Sequence, residues 1–73
     1  MTLIRREVLL PPGAERPGDD PAWRGALVVV LRGPVELGRT RAPFATGAVV
    51  CAEGLTVRNG GRQPAVLVAY ARG

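Results

Sequence analysis

At 73 residues the chain has room for one domain, and a domain of this size buries only about 60% of its unfolded surface, so nearly every apolar strand face must be used. Ala, Val and Leu supply most of the apolar content, Trp23, Phe44 and Tyr70 are the aromatics, and Ser, Lys and His are absent, a composition that points to a GC-rich bacterial gene. The net charge of +4 rests on arginine alone, the lone Cys51 excludes an intramolecular disulfide and fits a reducing compartment, and no apolar run approaches the roughly 20 residues of a membrane span.

Thr2–Leu10 reads as a first strand, apolar at both ends, and Arg5, Arg6 and Glu7 interrupt it too early for a secretory signal. Residues 11–21 read as a loop, with four prolines, Gly13, Gly18 and the pair Asp19–Asp20. Arg24–Arg32 contains Leu27-Val28-Val29-Val30-Leu31, whose β-branched run disfavours helix and predicts a strand. Gly33–Pro34 turns the chain into a short strand over Val35–Arg39, and Arg41–Phe44 leads through Pro43 to the next. Gly47–Glu53 and Leu55–Arg58 are two further strands parted at Gly54. Asn59-Gly60-Gly61 predicts a tight hairpin, because Asn and Gly accept the positive φ such turns require, and Ala65–Arg72 closes the chain. These six to seven short strands, with no helical period, predict an all-β sandwich or barrel.

Two of the strands are apolar on both faces. Over Leu27–Leu31 one face carries Leu27, Val29 and Leu31, while Ala26, Val28 and Val30 lie on the other, suggested as the inner one. Over Ala65–Ala71 the Tyr70 hydroxyl is the only polar side-chain group. A strand in a two-layer sandwich needs one buried face, so a second subunit is expected to cover the other, unless the loop over residues 11–23 folds across it. The expected assembly is a homodimer.

The chain resembles the cupin superfamily, whose first motif runs Gly, five residues, His-x-His, three or four residues, Glu, six residues, Gly. Gly13 begins such a run here, Asp19 and Pro21 stand at the histidine positions, Ala26 stands at the Glu position and Gly33 closes it. Leu10-Pro11-Pro12-Gly13 before the loop and Val28-Val29-Val30-Leu31-Arg32-Gly33 after it are cupin-like phrases. The second motif is matched by Gly47, Ala52 and Gly54, then Asn59-Gly60-Gly61 and Pro64-Ala65-Val66-Leu67, with the histidine position deleted. Ala22–Val30 looks most like short actinobacterial cupin-like proteins that lack the metal ligands. The resemblance covers residues 8–72 and implies a small jelly roll whose frame is kept and whose metal site is lost.

Cupin enzymes typically hold a transition metal through three His and one Glu, and this chain offers no imidazole. Asp19–Asp20 reads as a turn whose carboxylates bond nearby backbone N–H groups, so neither a metal nor another cofactor is expected. Cys51, in an apolar stretch, reads as a small core residue more readily than as a nucleophile, which would need a basic neighbour. Trp23 and Arg24 stand where the long loop meets the strand lining the expected pocket; Trp23 stacks on a planar ligand or plugs the mouth as core, and Arg24 would clamp a carboxylate. Phe44 and Tyr70 are either pocket or core aromatics. Glu53 shares a face with Cys51 and Val49, and is either an inward acid or a solvated strand end.

The pocket candidates are therefore Trp23, Arg24, Ala26, Val28, Val30, Phe44, Cys51, Glu53 and Tyr70. The expected protein is a cytoplasmic, metal-independent small-molecule-binding module of sensory or accessory type. The alternatives are a metal-free isomerase, dehydratase or cyclase, and an interaction protein with a filled barrel. Scattered arginines with no interleaved aromatics weigh against nucleic acid as a partner.

Overall fold

Runs of Val and Ala with a two-residue alternation suit pleated, buried strands, and the two longest of them lie at the centre of one sheet. The computed structural model describes residues 2–38 and 42–72. The first sheet holds β1 (Leu3–Leu10), β3 (Ala26–Arg32), β6 (Val49–Val50) and β8 (Ala65–Arg72), in the order β1-β8-β3-β6. The second holds β2 (Glu15–Arg16), β4 (Val35–Leu37), β5 (Ala42–Phe44) and β7 (Val57–Arg58), in the order β2-β7-β4-β5. Every pairing is antiparallel. The expected all-β sandwich is what the chain forms.

The inner faces close on one apolar core. Val8 and Leu10 of β1, Ala26, Val28 and Val30 of β3, Val50 of β6, and Leu67 and Ala69 of β8 meet Val35, Leu37 and Val57 from the second sheet. The short second sheet leaves room that Trp23 fills: its side chain is wholly buried, on a single 3-10 turn over Pro21–Trp23. Gly25, at φ 61°, then swings the chain into β3.

The outer faces of the two sheets contrast. Across the second sheet, register pairs set Glu15, Arg58, Glu36 and Pro43 in one row, with Arg58 Nη1 and Glu36 Oε1 3.6 Å apart. Across the first, the corresponding row is Glu7, Val68, Val29 and Val49. The 11–23 loop does not cover that row, because its β2 pairs with β7 in the other sheet and Trp23 turns inward.

Several expected elements change. The loop contains β2 and the 3-10 turn, and the strands expected over 47–53 and 55–58 shrink to Val49–Val50 and Val57–Arg58. Arg39 and Arg41, at the edges of two expected strands, lie outside the described residues. The tight hairpin at Asn59-Gly60-Gly61 is not formed: β7 and β8 belong to different sheets, and neither glycine takes a positive φ. Asn59 is instead buried between loops, where its own amide sets the chain path. Among the described residues no helix is long and apolar enough to cross a membrane.

Candidate functional site

The sandwich is open at one end. Ile4, Arg6, Val8 and Leu10 share the inner face of β1 by alternation, yet Val8 and Leu10 are buried while Ile4 and Arg6 are exposed. Opposite them in register, Ala71 pairs with Ile4 and Ala69 with Arg6. Small alanines on β8 and the 3-10 turn beside them leave a cleft of about 250 Å³. Ile4, Ala22, Ala69 and Ala71 give it an apolar floor, and its charged lining residues are Arg6, Arg24 and, from the outward-facing end of β8, Arg72. Among the described residues lining it there is no carboxylate.

A second, more open cleft of about 540 Å³ lies on the other side of Arg24, lined also by Gly18, Asp19, Asp20, Glu53 and Gly54. Its polar groups are largely engaged in holding loops. Asp20 Oδ1 accepts from the Ala22 amide at 2.9 Å, and Oδ2 accepts from Arg16 Nη1 at 3.1 Å. The Ala22 amide bond, chiefly, holds the Asp20 carboxyl below its ordinary value; the Arg16 hydrogen bond and charge and the Arg6 charge act the same way, against partial desolvation. Glu53 Oε2 accepts from the Gly25 amide at 3.1 Å, steadying the entry to β3. The Asp19–Asp20 pair thus has one member acting as a turn carboxylate, in the manner its sequence predicts.

The expected pocket residues separate by the direction each takes. Ala26, Val28 and Val30 face inward as expected, but they pack in the core and line no opening. Trp23 plugs the interior, and its Nε1 has no hydrogen-bond partner among the described residues; Phe44 packs partly buried against the same core. Tyr70 faces outward beside Leu27 and is 38% exposed, because it follows Ala69 by one residue on a strand whose odd-numbered residues point in. Cys51 is exposed rather than buried, since β6 ends at Val50 and the alternation sends Val50 and Ala52 inward around it. Glu53 is exposed, in the solvated position, and only Arg24 and Glu53 reach a cleft.

Arg6 and Arg72 were absent from the expected set. The signal for Arg6 is present in the alternation of β1, where it falls on the same face as Val8 and Leu10. For Arg72 no local pattern would serve, because only pairing with β1 carries the end of β8 beside the Arg24 turn. Among the described residues no group of three His, Cys, Asp or Glu side chains converges as a metal site would require. Comparison with known proteins finds no family model, curated protein or solved structure that matches the chain.

Proposed function

We propose that this protein is a metal-independent, cupin-like binding module for small organic anions, with its site at the open end of the sandwich. The observation that carries this reading is the lining of an apolar-floored cleft by three arginines, with no acid among the described lining residues. A guanidinium presents paired N–H donors that match a carboxylate, and its charge persists at any physiological pH. Ile4, Ala22, Ala69 and Ala71 would take a short aliphatic or aromatic body behind that anionic group. The cleft of about 250 Å³ lies under the roughly 300–1,000 Å³ of drug-sized pockets, so the ligand is a small one.

Support for a site at the mouth also comes from the interior, where Trp23, Val28, Val30 and Leu67 have no exposed surface. The jelly-roll and cupin assignments rest on the glycine frame from Gly13 to Gly33 and on the sandwich it sits in. Binding is favoured over catalysis because Glu53, the best candidate acid, is exposed and bound to a backbone amide. An exposed free thiol at Cys51 suits a reducing, cytoplasmic setting.

The test is a titration followed by amide NMR, using octanoate and benzoate as probes and inorganic phosphate as the charge-only control. Either carboxylate is expected to shift Ile4, Ala22, Ala69 and Ala71 with a Kd on the order of 1 mM or tighter. Arg6→Gln and Arg24→Gln should each weaken that binding about tenfold, the cost of one charge-assisted contact. Absence of shifts from both carboxylates at about ten times that Kd, or equal binding by phosphate, would sink the proposal.

A further inference from the structure

Leu67 and Val68 are consecutive in β8 and both have no exposed surface, although their side chains leave opposite faces of the first sheet. Leu67 is covered by the second sheet's side of the core; Val68 is not part of that core. Its register partners are Glu7 of β1 and Val29 of β3, whose side chains share its outward face. The outward face of the first sheet is thus largely apolar, and the second sheet packs on its other side.

Eight large hydrophobic side chains are exposed among the described residues. Six of them, Leu3, Leu9, Leu27, Leu31, Val49 and Tyr70, belong to this one face by strand alternation and register, Leu31 at the bulge where β3 shifts against β8. Leu27 and Val49 are more than half exposed. The opposite sheet answers the same geometry with Glu15, Arg58 and Glu36. This internal contrast matters: the same chain makes a water-adapted outer face on one sheet and leaves the other apolar.

We infer that the outer face of the β1-β8-β3-β6 sheet is a self-association surface, occupied by the same face of a second copy. Area supports a copy as the occupant. Strands about 4.8 Å apart, read over six residues of β1, β8 and β3 and the two residues of β6 at about 3.3 Å each, cover on the order of 300 Å² in projection. Side-chain relief makes the accessible area larger than this projection, which already matches the few hundred Å² of apolar patch that monomers rarely exceed. Charge supports it too. Arg5 and Glu7 lie on edge strand β1, 3.7 Å apart, and Arg32 and Arg72 lie at strand ends, so these charges border the apolar centre of the face rather than occupy it. Face-to-face packing of two such sheets by a two-fold is closed: each copy's remaining outer face is the charged one, and growth stops at the dimer.

The inference is independent of the anion-binding reading, since the cleft opens from the inner face of β1 and β8. Sedimentation velocity of the full chain from about 1 μM to 1 mM, with native mass spectrometry, tests it. The wild type is expected to be dimeric by tens of micromolar. Leu27→Glu and Val49→Glu, placed where the side chain is already solvent-exposed, should weaken association at least 100-fold while far-UV CD and NMR dispersion stay unchanged. Glu15→Gln on the second sheet should leave the dimer intact. A wild type that stays monomeric to 1 mM overturns the inference, as does a Leu27→Glu protein that remains dimeric, which would place association at the β1 edge instead. If Leu27→Glu loses its fold, Val49→Glu decides by the same readout, being on the two-residue edge strand β6.

Discussion

Asn59 Nδ2 donates to the Leu10 carbonyl at 2.9 Å, joining residues 49 positions apart in sequence. The same amide nitrogen donates to the Gln63 carbonyl at 2.7 Å, and Oδ1 accepts from the Gly61 amide at 2.9 Å. The backbone completes the tie, with Asn59 N donating to Ala14 O at 3.0 Å and Gly13 N donating to Asn59 O at 2.8 Å. Asn59 is 1% exposed, and one residue thereby holds the end of β1, the following loop and the 59–64 loop together.

Removing that amide should be costly. Asn59→Ala orphans two carbonyls and one N–H, and at about 1 kcal/mol or more for each the expected loss is on the order of 3 kcal/mol in urea denaturation. Asn59→Asp keeps the acceptor for Gly61 but sets a carboxylate against the Leu10 and Gln63 carbonyls. Its deficit should shrink as pH falls and the acid regains one donor. Equal stability of wild type and Asn59→Ala, within about 0.5 kcal/mol, would refute this role.

Two glycines that meet close neighbours should respond differently. A Cβ at Gly18 would run into the backbone of Gly54 and Leu55, where Gly54 N donates to Gly18 O at 2.9 Å. Backbone cannot yield, so Gly18→Ala is expected to cost about 1–3 kcal/mol. A Cβ at Gly60 meets only the carboxylate of Glu36, the end of a flexible side chain. Gly60→Ala should therefore cost under about 1 kcal/mol, most of it from disturbing the partly exposed Arg58–Glu36 pair. Thermal melts of the two variants side by side check the order, and a larger loss at Gly60 would contradict it.

The acid limb of stability should carry the signature of Asp20. Its folded-state pKa is depressed by the Ala22 amide, Arg16 and Arg6, so the unfolded chain binds a proton there more readily than the folded one. The resulting stability is fully present above the unfolded pKa, near pH 4, and is lost as pH falls through the lower folded value. Asp20→Asn should flatten that limb and, because its amide oxygen still caps the 3-10 turn while the charge-assisted bond to Arg16 is lost, cost under about 1 kcal/mol at pH 7. Urea titrations from pH 2 to pH 7 give the comparison; an unchanged acid limb in Asp20→Asn would remove Asp20 from the account.

Where the chain runs as strand, and which side of the Leu27–Leu31 run lies inside, were legible from local chemistry. The Leu27–Leu31 run announced β3, its alternation put Ala26, Val28 and Val30 inside, and the excess apolar face of Leu27, Val29 and Leu31 was visible before any partner sheet was known. These follow from a two-residue period that each strand carries by itself. The short strands were legible only coarsely, because two residues of β6 or β7 are strand through their partners rather than through their own composition.

The candidate site was less legible, for a related reason. Of the residues expected to line it, Arg24 and Glu53 reach a cleft, whereas Val28 and Val30 fill the core and Tyr70 faces outward. Asn59-Gly60-Gly61 read as a hairpin because local turn chemistry does not say whether the flanking strands pair with each other. By itself, the sequence determined an all-β chain, the inner face of β3, and the absence of imidazole. Only the tertiary structure decided that β7 and β8 part into different sheets and that Trp23 fills the interior. It also decided that Arg6, Arg24 and Arg72 meet at one open end, since convergence of distant side chains depends on sheet register, which strand alternation alone does not specify.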